Sequence, residues 1–277
     1  MQAKLLHQLI ETARAPEGEA PLLDTALAIA MLEYPDLDRQ AYRRRLDEWA
    51  QTLRQRLPAD PGIEERLRAL NQFLFTEQGF AGNLENYYDP RNSFINDVLD
   101  QRRGIPLTLS IVYIELGRRL GLPLEGVSFP GHFLVRLSMD DGALVLDPFN
   151  RGVSLSEEDL DRLLQDVASD RPDDLGRLLA AARKPEIVIR LLRNLKAVYQ
   201  RDGQAEKALE IVNLILAIDP TQLPEYRDRG LILTELDCNR AAAADLDHYL
   251  THYPADEDAD AIRALIEELA EEPQRLH

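Results

Sequence analysis

The sequence predicts an α+β protein that is predominantly helical, with a small antiparallel sheet near its middle and a short stack of repeated helices after it. Three observations support this fold class. Apolar residues recur at three- and four-residue spacing through much of residues 1–75, as in amphipathic helices. Two β-rich runs, 127–137 and 143–149, are joined through Asp141-Gly142, a dipeptide typical of hairpin turns. Pro220 and Pro254 lie 34 residues apart, and the residues between them match in type.

The composition limits the classes of protein to which the chain can belong. Its 277 residues are 45% hydrophobic and 29% charged, enough for one good core and a smaller second one. A single cysteine, Cys238, excludes a disulfide framework and is typical of a reducing cytosol. The net charge of −17 disfavours nucleic acid and anionic lipid as partners, because the protein's own field repels phosphate. We find neither a membrane-spanning apolar run nor a signal-peptide stretch, so we expect a cytoplasmic protein with no membrane partner.

Residues 1 to about 75 are predicted to form helices separated by prolines. Pro35 and Pro58-Ala59-Asp60-Pro61 mark the breaks. Trp49 lies on an apolar stripe, and we interpret it as part of the core rather than as a ligand platform. This segment contains no catalytic constellation.

From about residue 75 the pattern changes to a glycine-punctuated connection followed by two helices. Asn92 or Ser93 is predicted to cap the first of these, through residues 94–99. Pro106, whose backbone angle is fixed, stands at the favoured first position of the second. That second helix is apolar over almost its whole surface, so we expect it to be buried at the centre of the domain.

The hairpin allows a prediction about two polar side chains, His132 and Asp147. A tight turn at Asp140-Asp141 places Leu134 opposite Asp147 when the residues are counted back from the turn. His132 is two residues from Leu134 and so points to the same face, as a diagonal neighbour of Asp147 at roughly 7 Å between Cα atoms. Such a pair is either a functional site or a buried hydrogen bond that orders the hairpin, and the spacing alone favours neither.

A series of short motifs runs through the same region: Gly79-Phe80-Ala81-Gly82-Asn83, Tyr88-x-x-x-Asn92-Ser93, Val98-Leu99-x-x-Arg102-x-Gly104-Ile105-Pro106-x-x-Leu109-Ser110, Phe129-Pro130-Gly131-His132-Phe133-Leu134 and Asp147-Pro148-Phe149. Together they resemble the bacterial SirB-type family, in which a transglutaminase-like core is followed by tetratricopeptide repeats. The resemblance covers about residues 30–277. It implies a papain/transglutaminase-like core with a small antiparallel sheet, and it places His132 and Asp147 at the family's His and Asp positions. It implies no known reaction. The polar motif residues that we take as candidate binding residues are Tyr88, Asn92, Arg102 and Ser110.

The chain departs from active transglutaminase-like enzymes at one position. Alignment with those enzymes puts Pro106 where the nucleophilic cysteine belongs. Proline supplies neither a nucleophile nor an N–H for an oxyanion hole. Thr108 and Ser110 are nearby hydroxyls, but Ser110 lies roughly 6 Å further along the helix axis and would need a general base. The sequence therefore argues against thiol-dependent acyl transfer.

The last third of the chain reads as tetratricopeptide repeats, two units and a final helix. We expect a transglutaminase-like domain with an N-terminal helical segment over 1–180 and a repeat domain over 185–277. Cys238 falls in the turn between the helices of the second unit and is interpreted as incidental. His248 and His252 have a spacing that can bind metal, but no third ligand is near in sequence, and we predict no metal and no cofactor.

Three functional hypotheses follow. The first is a catalytically inactive transglutaminase-like module that binds a protein or peptide, with the repeats contributing to the interaction surface. The second is a hydrolase-type enzyme of altered chemistry that uses His132 and Asp147 as an acid/base pair. The third is a structural scaffold in which the pair is a satisfied core interaction. The missing nucleophile favours the first or the third, and we adopt the first.

Overall fold

The computed structural model describes residues 2–15, 21–139, 142–165 and 175–271. The chain divides into two compact units, Met1–Leu191 and Leu192–His277. The first unit contains the mixed α and β part, and the second contains only helices among its described residues. The division falls inside one long helix, Lys184–Arg201.

Four helices and a π-helical turn form the N-terminal part of the first unit. Asp38 begins the third helix, since its carboxylate accepts the backbone N–H groups of Gln40 and Ala41. Trp49 is half-buried and meets the rings of Phe73 and Phe80 edge-on, with ring centroids 5.7 and 6.0 Å away. The elements are α1 (Gln2–Arg14), α2 (Leu22–Ala30), α3 (Arg39–Arg56), α4 (Ile63–Asn71) and the π-helical turn Gln72–Glu77.

The predicted central helix is buried, as its apolar surface requires. Every residue from Pro106 to Gly117 is buried, although the helix includes a carboxylate, Glu115. Glu115 accepts the backbone N–H of Leu23 at 3.0 Å, near the start of α2, and pairs with Arg119 at 2.8 Å. A buried acid is tolerated here because both carboxylate oxygens have donors. The elements of this stretch are β1 (Ala81–Gly82), a 3₁₀ turn (Pro90–Asn92), α5 (Ile95–Gln101), β2 (Arg103–Gly104) and α6 (Pro106–Arg119).

An antiparallel sheet with strand order β3-β4-β5-β6 follows α6. Val135 pairs with Leu146, which is the register predicted from the residue count. Asp140 and Asp141, the predicted turn, lie outside the described residues, but Met139 pairs with Gly142 on either side of them. The strands are β3 (Leu124–Val127), β4 (Leu134–Met139), β5 (Gly142–Asp147) and β6 (Val153–Leu155).

Both faces of the sheet are covered. Leu124 of β3 lies against Gly117 of α6, where a Cβ would be 2.2 Å from a Leu124 methyl carbon. Only glycine permits this approach of the helix to the sheet. On the other face, Val127, Leu134 and Val145 form an apolar cluster with residues of α7 (Glu157–Gln165) and α8 (Leu175–Leu178).

Two local expectations were wrong. His132 lies in a turn before β4 rather than on a strand, because Pro130 has no N–H for a ladder and Gly131 has a φ of +65°. Asn92 and Ser93 do not cap α5, whose N-cap residue is Phe94 with no side-chain cap. The Asn92 Oδ1, which would accept a helix N–H in a cap, accepts the side-chain amide of Asn83 at 2.9 Å, and its Nδ2 donates to carbonyls of the preceding loop. The predicted run 127–137 is divided into the end of β3 and the start of β4, and β1, β2 and β6 were not foreseen.

The second unit confirms the repeat prediction, with two helix pairs and a final helix. Ala208 and Ala242, the matching small residues, are both fully buried. At Gly230 a Cβ would lie 2.6 Å from Leu246 Cγ, so paired helices touch at this point. Cys238 is exposed in the turn between the helices of the second pair, as predicted. The helices are α9 (Lys184–Arg201), α10 (Ala205–Ile218), α11 (Leu223–Glu235), α12 (Asn239–His252) and α13 (Ala259–Glu271).

Ala242→Trp should lower the free energy of unfolding by about 1–3 kcal/mol, because the indole has no space at a fully buried helix contact. Ala244→Trp is the matched control, since Ala244 is exposed on the same helix and its substitution should change stability by less than about 0.5 kcal/mol. Denaturant unfolding followed by circular dichroism measures both. Equal effects of the two variants would contradict the repeat packing.

Candidate functional site

The site is built at the N-terminal end of α6. Pro106 is the first residue of that helix, and its missing N–H is of no consequence there. The Thr108 hydroxyl accepts the N–H of Ile105 at 3.2 Å and lies 2.7 Å from the carbonyl of Asn92. Thr108 is fully buried, so its hydroxyl is committed to holding the helix start.

The turn before β4 brings His132 to Asp147. His132 Nε2 lies 3.0 Å from Asp147 Oδ2, which confirms the predicted proximity of the two side chains. The distance is that of a hydrogen bond, but the alignment is not, and Nε2 has no aligned partner among the described residues. The His132 side chain is 13% exposed and the Asp147 side chain is 8% exposed, so little of the pair is accessible to solvent.

Asp147 is the better fixed member of the pair. Its Oδ1 accepts the backbone N–H groups of Phe149 at 3.0 Å and Asn150 at 3.2 Å. Its backbone carbonyl accepts the N–H of Gly152 at 2.7 Å, which closes the turn into β6. The carboxylate is therefore oriented by the backbone, with Oδ2 directed at the imidazole.

Arg190 of α9 holds the turn that carries His132. Its guanidinium donates to the Ser128 hydroxyl at 2.7 Å, the Phe129 carbonyl at 3.0 Å and the His132 carbonyl at 2.5 Å. It also lies over the ring of Phe133, 5.6 Å from the centroid. Burial lowers the pKa of Arg190 from its usual value. No sequence pattern indicated this role, since Arg190 lies 58 residues from His132 in the chain.

A row of aromatic rings leads from the surface to His132. Tyr88 and Tyr87 meet edge-on at 5.4 Å, Tyr87 meets Phe149 at 6.5 Å, and Phe149 meets His132 at 5.9 Å. Tyr88 and Tyr87 are 56% and 40% exposed, so the outer end of the row faces solvent. Burial raises the pKa of Tyr87, and the neighbouring Tyr88 adds to the increase. Gly82 permits the approach of Phe149, because a Cβ there would be 2.4 Å from the ring.

The four candidate binding residues have different surroundings. Asn92 is buried, and its amide donates to the carbonyls of Asn86 at 2.6 Å and Tyr87 at 3.0 Å, so it shapes the loop that carries the tyrosines. Tyr88 is the exposed end of the aromatic row.

Ser110 and Arg102 both form hydrogen bonds that order the local backbone. Ser110 is fully buried and its hydroxyl lies 3.4 Å from the carbonyl of Phe133, next to His132 in the chain. Arg102 ends α5 in the left-handed conformation, with a φ of +59°, and its carbonyl accepts the N–H of Ala81. Arg102 turns the chain into β2. Of these two residues, the structure brings Ser110 to the His132 turn and not the Arg102 side chain.

The two hydroxyl residues near the start of α6 are not accessible. Thr108 and Ser110 are fully buried, with their hydroxyls at backbone carbonyls. Cys238 lies in the second unit. The arrangement places an imidazole beside a carboxylate that the backbone orients, which is a geometry found in acid/base pairs.

Two family models match the chain. The model of the transglutaminase-like superfamily matches residues 40–193, and the tetratricopeptide repeat model matches residues 195–267. A UPF0162 protein of Xylella fastidiosa strain 9a5c is 41% identical over 268 residues, which are 96% of this chain and 95% of the relative.

The chain belongs to the UPF0162, or SirB-type, family of transglutaminase-like proteins.

Other relatives confirm this membership over most of the chain. The UPF0162 protein YchA of Escherichia coli K12 is 33% identical over 216 residues, covering 78% of this chain and 80% of the relative. Protein SirB1 of Salmonella typhimurium LT2 is 28% identical over 261 residues, covering 94% and 97%. No solved structure matches the chain. The resemblance inferred from the motifs is thereby confirmed.

The described residues of this SirB-type protein were also searched for metal sites and membrane spans. No group of three or more His, Cys, Asp or Glu side chains within 2–15, 21–139, 142–165 and 175–271 is placed to hold a metal ion. The rings of His248 and His252 meet at a tilt, with centroids 4.8 Å apart, and His248 also meets the ring of Tyr226 at 4.4 Å. Over the same ranges, the helices are too short or too polar to cross a membrane.

Arg190→Met should loosen the turn that carries His132. The substitution removes three hydrogen bonds that the charged guanidinium donates, and it keeps an aliphatic side chain of similar length. We expect the free energy of unfolding to fall by about 2–3 kcal/mol and amide hydrogen exchange in residues 128–133 to accelerate. Arg190→Lys is the control: it keeps the charge but not the planar fork, so it should recover part of the loss. Unchanged exchange in Arg190→Met would show that the guanidinium does not hold the turn.

Proposed function

We propose that this SirB-type protein is a catalytically inactive transglutaminase-like module that binds a protein or peptide. The observation that carries the proposal is Pro106 at the helix start where such enzymes place their cysteine. The tetratricopeptide repeats support a role in protein interaction, because such repeats commonly present extended binding surfaces.

The exposed end of the aromatic row is the proposed contact surface for an apolar side chain of the partner. Leu84, Tyr87 and Tyr88 are 77%, 40% and 56% exposed within five residues of chain. Clustered exposed apolar side chains are typical of interaction sites, and tyrosine contributes strongly to such contacts. The Asn92 amide fixes this loop from behind, so the surface is organised before the partner arrives.

In this proposal His132 and Asp147 orient the inner end of the surface rather than perform chemistry. His132 meets Phe149 edge-on, and Phe149 continues the row to Tyr87. Peptide recognition here needs no ionised imidazole, because the contact is through rings. The SirB-type protein would act in the cytoplasm, without cofactor or metal and without nucleic acid as partner.

A second candidate function rests on one specific observation. Asp147 is fixed by two backbone N–H groups and directs its other oxygen at His132 Nε2, 3.0 Å away. This arrangement is suited to a general base or acid that acts on a bound substrate through Nδ1. The alternative is therefore a hydrolase-type enzyme of altered chemistry, and it predicts a different response to substitution of His132.

The first test uses a random peptide library displayed on phage and selected against the full-length protein. Peptides that contain apolar residues should be enriched, and the Tyr87→Ala/Tyr88→Ala double variant should weaken their binding at least about tenfold, since two ring contacts are lost. Ile63→Ala is the matched control, because Ile63 is exposed but lies outside the row. Fluorescence anisotropy measures the dissociation constants. Equal affinity of the double variant and the control would contradict the proposed surface.

His132→Gln separates the binding module from the enzyme. For a binding module, the variant should bind the selected peptides within about threefold of the parent and lose only about 1 kcal/mol of stability, because Nε2 has no aligned hydrogen bond to lose. For an enzyme, hydrolysis of the same peptides or of ester analogues would fall by about 10² or more in a folded protein. Mass spectrometry of the incubated peptides detects the turnover. Hydrolysis by the parent that vanishes in His132→Gln would replace our proposal with the second one.

Alkylation of Cys238 with iodoacetamide should leave peptide binding unchanged, because this exposed thiol lies in a repeat turn rather than at the start of α6. Cys238→Ser is the control that removes the thiol without adding bulk. Binding constants before and after treatment give the comparison. An acyl group trapped on Cys238 after incubation with an activated ester, with loss of turnover in Cys238→Ser, would restore thiol chemistry.

A further inference from the structure

The guanidinium of Arg190 has no negative partner at the inner end of the aromatic row. Its hydrogen bonds go to the Ser128 hydroxyl and to the carbonyls of Phe129 and His132, which are neutral groups. Among the described residues, no carboxylate forms an ion pair with Arg190. The residue is half-buried, and burial lowers its pKa. Arg190 is therefore a partly desolvated cation whose charge no described acid balances.

Part of the hydrogen-bonding capacity of Arg190 is also unused. A guanidinium has five N–H donors, and three of those of Arg190 are engaged. Nη1 donates twice and Nη2 once, whereas Nε–H has no hydrogen-bond partner among the described residues. Nε and Nη2 lie on one edge of the guanidinium, and donors along such an edge match the two oxygens of a carboxylate. This edge can bind a carboxylate while Nη1 continues to hold the turn.

Two other partly buried arginines show how the fold balances such a charge. Arg119 pairs with Glu115 at 2.8 Å, and Arg229 pairs with Asp245 at 2.6 and 2.8 Å. Removal of a cation from water is unfavourable unless an anion or several hydrogen bonds replace the lost hydration. At Arg190 hydrogen bonds replace part of the hydration, and the place of the anion is left to a group from outside the described chain.

Tyr87 provides a second donor near this guanidinium. Burial and the neighbouring Tyr88 raise the pKa of Tyr87, and the charge of Arg190 opposes that increase, so the phenol and the guanidinium are close enough to interact. The Tyr87 hydroxyl makes no side-chain hydrogen bond among the described residues, and Tyr87 is 40% exposed. A phenol O–H and a guanidinium edge together offer three donors to one carboxylate.

Aromatic rings lie beside both donors. Arg190 lies over the ring of Phe133, 5.6 Å from its centroid. Tyr87 meets Tyr88 edge-on at 5.4 Å and Phe149 at 6.5 Å. Rings exclude water and so strengthen a charge-assisted hydrogen bond next to them. An apolar side chain that is bound to these rings would bring a neighbouring carboxylate close to Arg190.

The net charge of −17 limits which carboxylate partner fits. A segment rich in acidic residues is repelled by the field of the protein as a whole. A single carboxylate in contact with Arg190 is attracted, because the contact is direct and the repulsion from distant charges is screened by salt. The surface is therefore suited to a segment in which one carboxylate has apolar or basic neighbours.

We propose that Arg190 and Tyr87 form a carboxylate subsite, and that the partner of this protein presents one carboxylate directly beside an apolar or aromatic side chain. The subsite rests on the proposed binding function and defines which group of the partner is recognised. The carboxylate binds the Nε and Nη2 edge of Arg190 and the Tyr87 hydroxyl, and the neighbouring side chain packs on Tyr87 and Tyr88. An acidic side chain or the C-terminus of the partner supplies the carboxylate.

NMR titration of the full-length ¹⁵N-labelled protein tests the subsite with two matched pairs of probes. N-acetyl-phenylalanine and its amide test a terminal carboxylate, and the amides of N-acetyl-aspartyl-phenylalanine and N-acetyl-asparaginyl-phenylalanine test a side-chain carboxylate. The readout is the Arg190 Nε–H signal, which is identified by its loss in Arg190→Lys. One acidic probe should shift this signal saturably and bind at least about tenfold more tightly than its neutral match. The pair with the larger ratio identifies the source of the carboxylate.

Equal affinity within both pairs, or no saturable shift with either acidic probe, would overturn the subsite. Neither result depends on a partner having been found.

Two conservative variants locate the contact. Arg190→Lys keeps the charge but not the planar edge, so the preference for the acidic probe should fall to about threefold. Tyr87→Phe keeps the ring and removes the hydroxyl, so the acidic probe alone should bind about threefold more weakly. Arg68→Lys, at an exposed arginine of α4, is the matched control and should keep the full preference. Tyr87→Phe leaves the hydrogen bonds of the His132 turn intact, and it remains informative if Arg190→Lys loosens that turn.

Full preference for the acidic probe in folded Arg190→Lys and Tyr87→Phe would show that the carboxylate binds elsewhere. Two further results distinguish the subsite from the proposed binding function as a whole. Selected peptides that depend on Tyr87 and Tyr88 but bind equally well with their carboxylates replaced by amides would exclude the subsite and keep the binding module. Acidic probes that bind at Arg190, with no peptide selected from the library, would keep the subsite and exclude the peptide-binding function.

Discussion

The burial of α6 is the constraint on which the first unit depends. A helix buried from Pro106 to Gly117 must be covered on all sides, and the sheet and several N-terminal helices cover it. Two residues make this possible without strain. Gly117 removes the Cβ that would collide with Leu124, and Glu115 uses both carboxylate oxygens to bind the start of α2 and Arg119. Because α6 is fixed along its length, each of its ends can position other groups.

The two ends of α6 have different chemistry. At the N-terminal end, Thr108 and Ser110 turn their hydroxyls to the backbone carbonyls of Asn92 and Phe133, and so connect the helix to the tyrosine loop and the His132 turn. These buried hydroxyls connect the helix to neighbouring chain segments, at the same end of the helix where Pro106 stands in the position of the cysteine. At the C-terminal end, Arg118 Nε donates to the carbonyl of Leu124 in β3 and so connects the helix to the sheet.

Distant contacts, rather than the hairpin alone, define the environment of His132. The register of β4 and β5 brings Asp147 within 3.0 Å, but the imidazole is not aligned with the carboxylate. Arg190 also holds this turn, because its guanidinium donates to the carbonyls of Phe129 and His132. The histidine is therefore held through its backbone as much as through its side chain.

The sequence by itself determined the features that depend on local pattern. The pattern of apolar residues predicted the buried central helix, the Asp-Gly dipeptide predicted the hairpin register, and the spacing of Pro220 and Pro254 predicted the repeats. These patterns are informative because the direction of each side chain follows from helix and strand geometry. Motif resemblance identified the family.

Features that depend on chain segments far apart were decided only by the tertiary structure. Asn92 was expected to cap a helix, but its Oδ1, the atom that would accept a helix N–H, accepts the side-chain amide of Asn83. Arg190 reaches the His132 turn across 58 residues, and Glu115 binds the backbone N–H of Leu23 across 92 residues. Hydrogen bonds and charges act through space over a few ångströms. Their partners are therefore fixed by packing rather than by spacing along the chain.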